Sequence, residues 1–334
     1  MLSQRKAIAL SLLAMINSGV LALPAAHSFA STVPGQTSLY TSYSGKEAPF
    51  PANIKGAILP TAKGKPGPED VLWQNLLAAE WLVFSFYQQG VEAFNSTSFT
   101  SLGYPNTTYE RITEIRDNEA GHMNAFYTAI SDTSTKPGPC KYDFGFTDPE
   151  SWLALQVLIE VSSLAFLPGL AEEAIYPSSA AAIAAIAEVE SRHNAWALID
   201  IWNVSPFSGP IDTSYPYPEQ ILALTSRSGP PTLDFDKKAA IGHPGSKVTF
   251  KFPDKQPSFE SSKEYFTVYF HALANITVPF DPKTRTSTIP AEFNAQRGII
   301  IAVITNEPGA PTKESCVSAP LILLQQPALL TQLV

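Results

Sequence analysis

Between residues 69 and 202, apolar positions recur at helical intervals in four runs. The first opens at Pro68 and places Leu72, Leu76, Ala79, Val83, Phe84 and Tyr87 on one face, the spacing of an amphipathic helix. Glu69 and Asp70 fall in its first turn, where the helix dipole favours acids. The second run follows Tyr104, Pro105 and Asn106 and carries Ile112, Ile115, Met123, Phe126 and Ile130. Thr107 and Glu110 have capping-box spacing at its start. The third begins at Thr147, Asp148, Pro149 and Glu150, a cap with proline in the first turn, and runs through Leu153, Val157 and Leu164. Pro168 and Gly169 predict its end or a kink. The fourth follows Pro177 and Ser178, with Ile183, Ile186, Ala197 and Ile201 on one face. Four such helices joined by modest loops predict a bundle.

The pattern changes after about Ser205. Proline and serine become frequent, and then short runs rich in β-branched and aromatic residues appear at 247–252, 265–271, 299–305 and 320–324, separated by turn residues. These predict a small antiparallel β-sandwich. The fold class is therefore mainly α: a four-helix bundle at 68–204, followed by a linker and a β-rich C-terminal domain at 205–334. Residues 23–67 are rich in Pro, Gly, Ser and Thr and read as an extended arm that is able to wrap the bundle.

Six polar residues interrupt the apolar stripes of the bundle. Glu119 and His122 stand one turn apart in the second helix, and Glu190 and His193 repeat that spacing in the fourth. Glu80 and Glu160 stand alone on the first and third. A carboxylate and an imidazole at i, i+3 can grip one ion. With five histidines and thirty carboxylates among 334 residues, chance puts a carboxylate three positions before fewer than one histidine. An exposed pair of this kind would be worth only a few tenths of a kcal/mol. On an apolar face, by contrast, an unpaired carboxylate costs several kcal/mol. Four carboxylates and two neutral imidazoles match two divalent cations in charge and ligand type. The spacing Glu, Glu-x-x-His, Glu, Glu-x-x-His thus predicts a site for two Fe or Mn ions, with all four glutamates at mid-bundle.

Neighbouring residues compete for or support that role. Glu172 and Glu173 are rival ligands on the third helix but lie beyond Pro168 and Gly169, nearer the bundle end. Gln156 and Tyr87 face inward and are placed to hydrogen-bond a ligand, and Asp200 is a candidate for orienting an imidazole. His243 and His271 lie outside the bundle and read as surface or packing residues. No histidine follows Cys316, which argues against a copper site in the β-rich part.

Composition adds the compartment. Arg5 and Lys6 precede an apolar run from Ala7, and Val20, Leu21 and Ala22 offer a cleavage point, so residues 1–22 read as a signal peptide. No later stretch reaches eighteen apolar residues, and the mature chain is predicted to have no stable membrane span. Sequons at Asn95, Asn106, Asn203 and Asn275 fit a secreted glycoprotein, extracellular or in the cell wall. Two cysteines, Cys140 and Cys316, in an oxidising compartment predict a bridge between the helical part and the tail. A net charge of −8 with no basic cluster beyond the N-terminus argues against nucleic acid as a partner.

These residues together resemble the ferritin-like superfamily. The run Cys140-Lys141-Tyr142-Asp143-Phe144, then Thr147-Asp148, then Leu158-Ile159-Glu160 is similar to the fungal secreted ferritin-like proteins associated with stress response and sexual development. The resemblance implies that Glu119 and Glu190 bridge the metals, that Glu80 and Glu160 are terminal ligands, and that His122 and His193 cap one metal each. The residues themselves leave open which glutamate bridges. Two functions stay open as well. One is a dinuclear oxidoreductase acting on peroxide, oxygen or another small molecule; the other is a non-catalytic metal-binding or structural surface protein.

Overall fold

The computed structural model describes residues 57–140, 142–220, 231, 233–236, 242–253, 255–293, 298–326 and 330. The signal segment and the arm as far as residue 56 lie outside the described residues. Among the described residues five helices precede seven strands: α1 Asp70–Ala93, the short α2 Ser96–Thr100, α3 Thr108–Ala129, α4 Pro149–Glu172 and α5 Pro177–Trp196. A π-helical turn, Ala197–Ile201, continues α5. The strands are β1 Asp234–Phe235, β2 Lys247–Lys251, β3 Phe266–His271, β4 Ala274–Pro279, β5 Thr286–Thr288, β6 Ile299–Thr305 and β7 Leu321–Leu324.

Helix ends lock the bundle into an up-and-down arrangement. The Asp70 carboxylate accepts from the backbone amides of Gly67 and Ser131 at 2.8 and 3.0 Å and from the hydroxyls of Ser131 and Ser134, so the start of α1 meets the end of α3. At the other end the Tyr109 hydroxyl donates to the Val91 carbonyl. Glu69 crosses to the start of α5, accepting from the amides of Ile175 and Tyr176 at 2.7 and 2.9 Å and from the Ser179 hydroxyl at 2.6 Å. The two acids predicted to complement the dipole of their own helix are therefore buried tethers to other helices. Thr107 does not cap α3, because its backbone is already helical and its side chain makes no cap bond. Asp148 does cap α4, forming a capping box with Ser151. Asn95 and Ser98 form a second box at α2, an element absent from the sequence expectation.

Helix α4 runs through Pro168 instead of ending there. Proline breaks the ladder at this point, and the Ala165 carbonyl accepts from the Tyr215 amide at 3.0 Å. Gly169 lets that segment approach, since a Cβ there would collide with the Tyr215 carbonyl oxygen. Among the described residues α4 is the one helix that by length and composition would pass for membrane-crossing, but two thirds of its most apolar window is buried in the fold.

The C-terminal part is two antiparallel sheets, ordered β1-β2-β5 and β4-β3-β6-β7. Every residue of β6 is buried, so both of its faces are covered. Ile300, Ala302 and Ile304 meet Val248, Phe250 and Tyr269 between the sheets. Ile299, Ile301 and Val303 meet Ala154, Val157, Val161, Ala165 and Phe166 of α4. The sandwich thus docks on the outer face of α4 and α5, and α4 is covered on both sides.

Both cysteines are free, which overturns the predicted bridge. Cys140 packs at the edge of the helical cluster around Trp73 and Phe126, whereas Cys316 is buried in the cluster between α4 and the sheet.

Candidate metal centre

The core of the bundle is divided in two. One apolar cluster holds Leu72, Trp73, Leu76, Leu77, Met123, Phe126, Leu170 and Ile183. The other holds Val83, Phe86, Tyr87, Ile112, Ile115, Trp152, Leu153 and Ile201. Between these plugs lies a polar layer made of Glu80, Glu119, His122, Glu160, Glu190 and His193. Each glutamate sits near the middle of its helix, and antiparallel packing brings the four midpoints to one height. Glu119 and Glu160 are completely inaccessible to solvent, and the other four are buried as well.

The six side chains converge as two groups of four that share members. Ligand atoms of Glu80, Glu119, His122 and Glu190 lie within 4.8 Å of one another, and so do those of Glu119, Glu160, Glu190 and His193. Glu119 and Glu190 belong to both groups. Both imidazoles turn Nδ1 inward. His122 Nδ1 is 3.1 Å from Glu119, 3.2 Å from Glu190 and 3.4 Å from Glu80. His193 Nδ1 is 3.0 Å from Glu119, 3.5 Å from Glu190 and 3.7 Å from Glu160. The ring centroids are 6.4 Å apart.

The electrostatics show how heavily charged this layer is. Burial, and then the neighbouring charge of Glu119, push the Glu80 carboxyl well above the usual range; burial and Glu190 do the same to Glu160. Burial also works to raise Glu190, but the neighbouring imidazoles of His122 and His193 hold it at about 2. For the two histidines burial pulls downward and is outweighed by the surrounding carboxylates, which lift both to about 12. One oxygen from each glutamate, namely Oε1 of Glu80 and Glu119 and Oε2 of Glu160 and Glu190, is buried without a hydrogen-bond partner. Nδ1 of His193 is unpartnered too. Unpaired buried groups of this kind cost several kcal/mol each unless something meets them. Carboxylate and imidazole donors at this density are able to meet metal ions, so the residues fit a metal site.

Residues 70–199 match a family model described as the ferritin-like domain. The helical bundle is a ferritin-like domain. A search of curated proteins returns no match to the chain. Around the polar layer of the ferritin-like domain, Tyr87 donates its hydroxyl to Glu160 Oε1 and accepts from Gln156 Nε2 at 3.0 Å, so both inward-facing candidates meet the site. Asp200 is exposed on the π-turn and does not orient an imidazole. Asn118 does so instead, with Oδ1 3.2 Å from His193 Nε2. No spacing rule marks Asn118, which is exposed on α3 and reaches a histidine of α5. Glu172 and Glu173 are exposed at the end of α4, outside the polar layer. His243 contacts Gln325, and His271 is buried against the Ile299 carbonyl and Phe293, both in the β-rich part.

Proposed function

We propose that the chain is a secreted fungal ferritin-like protein whose six-residue cage holds two iron or manganese ions and serves redox chemistry on peroxide, dioxygen or another small molecule. The observation that carries this reading is the set of four buried glutamate oxygens left without hydrogen-bond partners around two inward-turned imidazoles. Two such ions, when bound, supply reversible electron transfer between divalent and trivalent states. In this reading Glu119 and Glu190, common to both groups, would help hold both ions. Glu80 and His122 complete one half, and Glu160 and His193 complete the other. Tyr87 holds Glu160 in place from outside. The apolar plugs at either end exclude bulk water.

Secretion and a stress or developmental role rest on the N-terminal charge and apolar pattern, the four sequons and the run 140–160. Asn106, Asn203 and Asn275 are exposed, as glycan acceptors must be. A non-catalytic role rests on the same burial: metal held by these buried carboxylates and imidazoles would stabilise the bundle without any turnover. Metal content of protein recovered from its native culture medium, followed by assay with hydrogen peroxide, separates the readings. Two Fe or Mn per chain with peroxide consumption supports redox function. Two ions with no turnover and no redox signal leaves the structural role.

A further inference from the structure

The two halves of the cage are not supported alike. The ligands unique to one half are Glu160 and His193, and each is held from outside. Glu160 Oε1 takes the Tyr87 hydroxyl, itself fixed by Gln156 at 3.0 Å, which leaves Oε2 turned into the cage. Tyr87, Gln156 and Glu160 are all completely buried, and Tyr87 is wedged against Phe86 and Trp152. Asn118 Oδ1 faces His193 Nε2. A proton on that nitrogen leaves Nδ1 to present its lone pair inward. The ligands unique to the other half are Glu80 and His122. Among the described residues no group outside the cage hydrogen-bonds either one, and they are the two most solvent-accessible members of the six, at 7% and 8%.

Outer partners fix ligand orientation before the ion arrives. An unsupported glutamate must instead give up its rotamer freedom when the ion binds. We propose that Tyr87, Gln156 and Asn118 are positioning residues that make the halves unequal, so that the His193 half takes its divalent cation first and the His122 half binds second, more weakly, and exchanges with solvent. This rests on the reading of the cage as a two-ion site.

The test is a calorimetric titration of the metal-free chain with Mn(II), repeated with Co(II) while visible absorption follows the ligand set at each step. Wild type is expected to show two resolved steps. Tyr87→Phe keeps the ring and its packing and is expected to weaken the first step roughly 10- to 100-fold. Glu80→Ala is expected to remove the second step and leave the first. Asn118→Ala, at an exposed position, gives the same test of the first step should the Tyr87 variant fail to fold. Two equal steps in wild type would overturn the inequality while leaving the two-ion reading intact, as would a Tyr87→Phe titration indistinguishable from wild type. Absence of any Mn(II) or Co(II) binding by wild type would overturn both.

Discussion

Alanine at two helical glycines should act with opposite sign, because only one of them faces another segment. At Gly169 the new Cβ would collide with the Tyr215 carbonyl oxygen and stand 3.2 Å from the Pro218 ring. Tyr215 cannot move freely. It is fully buried, its amide donates to Ala165 at 3.0 Å and its hydroxyl donates to Gln220 at 2.5 Å. Its ring packs edge-on against Phe166 and Phe270, at 5.6 and 5.3 Å. Displacing it loses a backbone hydrogen bond worth about 1 kcal/mol and loosens two aromatic contacts of about 0.5–1.5 kcal/mol each. The better helix propensity of alanine returns about 1 kcal/mol. The net cost is about 2 kcal/mol, or a fall in melting temperature of roughly 3 °C for a chain of 334 residues. Gly121 has nothing within 4 Å of its would-be Cβ and lies exposed on α3. Gly121→Ala should therefore raise the melting temperature by about 1–2 °C, from about 1 kcal/mol of propensity. Thermal melts of the metal-free proteins compare the two without involving the cage. A neutral or stabilising Gly169→Ala would refute the docking of the sandwich linker on α4.

Three other outcomes follow from the tethers, the thiols and the cage. Burial works to raise the Asp70 carboxyl, but the Ser131 and Ser134 hydroxyls and two backbone amides outweigh it and hold the group at about 2. Its stabilisation, about 1–2 kcal/mol after allowance for solvent screening, is complete above about pH 4 and is lost as pH falls toward 2. The melting-temperature gap between wild type and Asp70→Asn should close over that window; a gap independent of pH would contradict the assignment. Thiol titration of the denatured, unreduced chain should find two thiols, from Cys140 and Cys316, and a reductant should leave the melting temperature unchanged. At a free metal concentration about 100-fold above the Kd, each bound ion adds about 2.7 kcal/mol, so chelation should lower the melting temperature by several degrees; an unchanged melt would count against occupancy.

The polar layer was legible in the sequence because each glutamate stood on an apolar face, one per helix, and antiparallel packing left a single height at which they could meet. The support around the layer was only partly legible. Tyr87 and Gln156 face inward on the same helices as Glu80 and Glu160, and so helical phase found them. Asn118 acts across the gap between α3 and α5 from an exposed position, which no phase argument reaches. The tethering roles of Glu69 and Asp70 were not legible for a related reason. Acids in a first turn complement their own dipole equally well whether or not they cap another helix, and only tertiary packing decides. The docking of the sandwich left a clearer trace. Helix α4 is apolar nearly all round and β6 is apolar without alternation, the signatures of elements covered on both faces. The cysteines carried no geometric information, and their even number pointed to a bridge that the fold keeps apart.

The claim on which the rest depends is that two ions sit between these six side chains. An anomalous difference map from crystals grown with Mn(II) or Fe(II) tests it directly. The account predicts two peaks between the apolar plugs, each against one histidine and both against Glu119 and Glu190. A map with no peak in that layer, or with a single ion bound without Glu119 and Glu190, would contradict it.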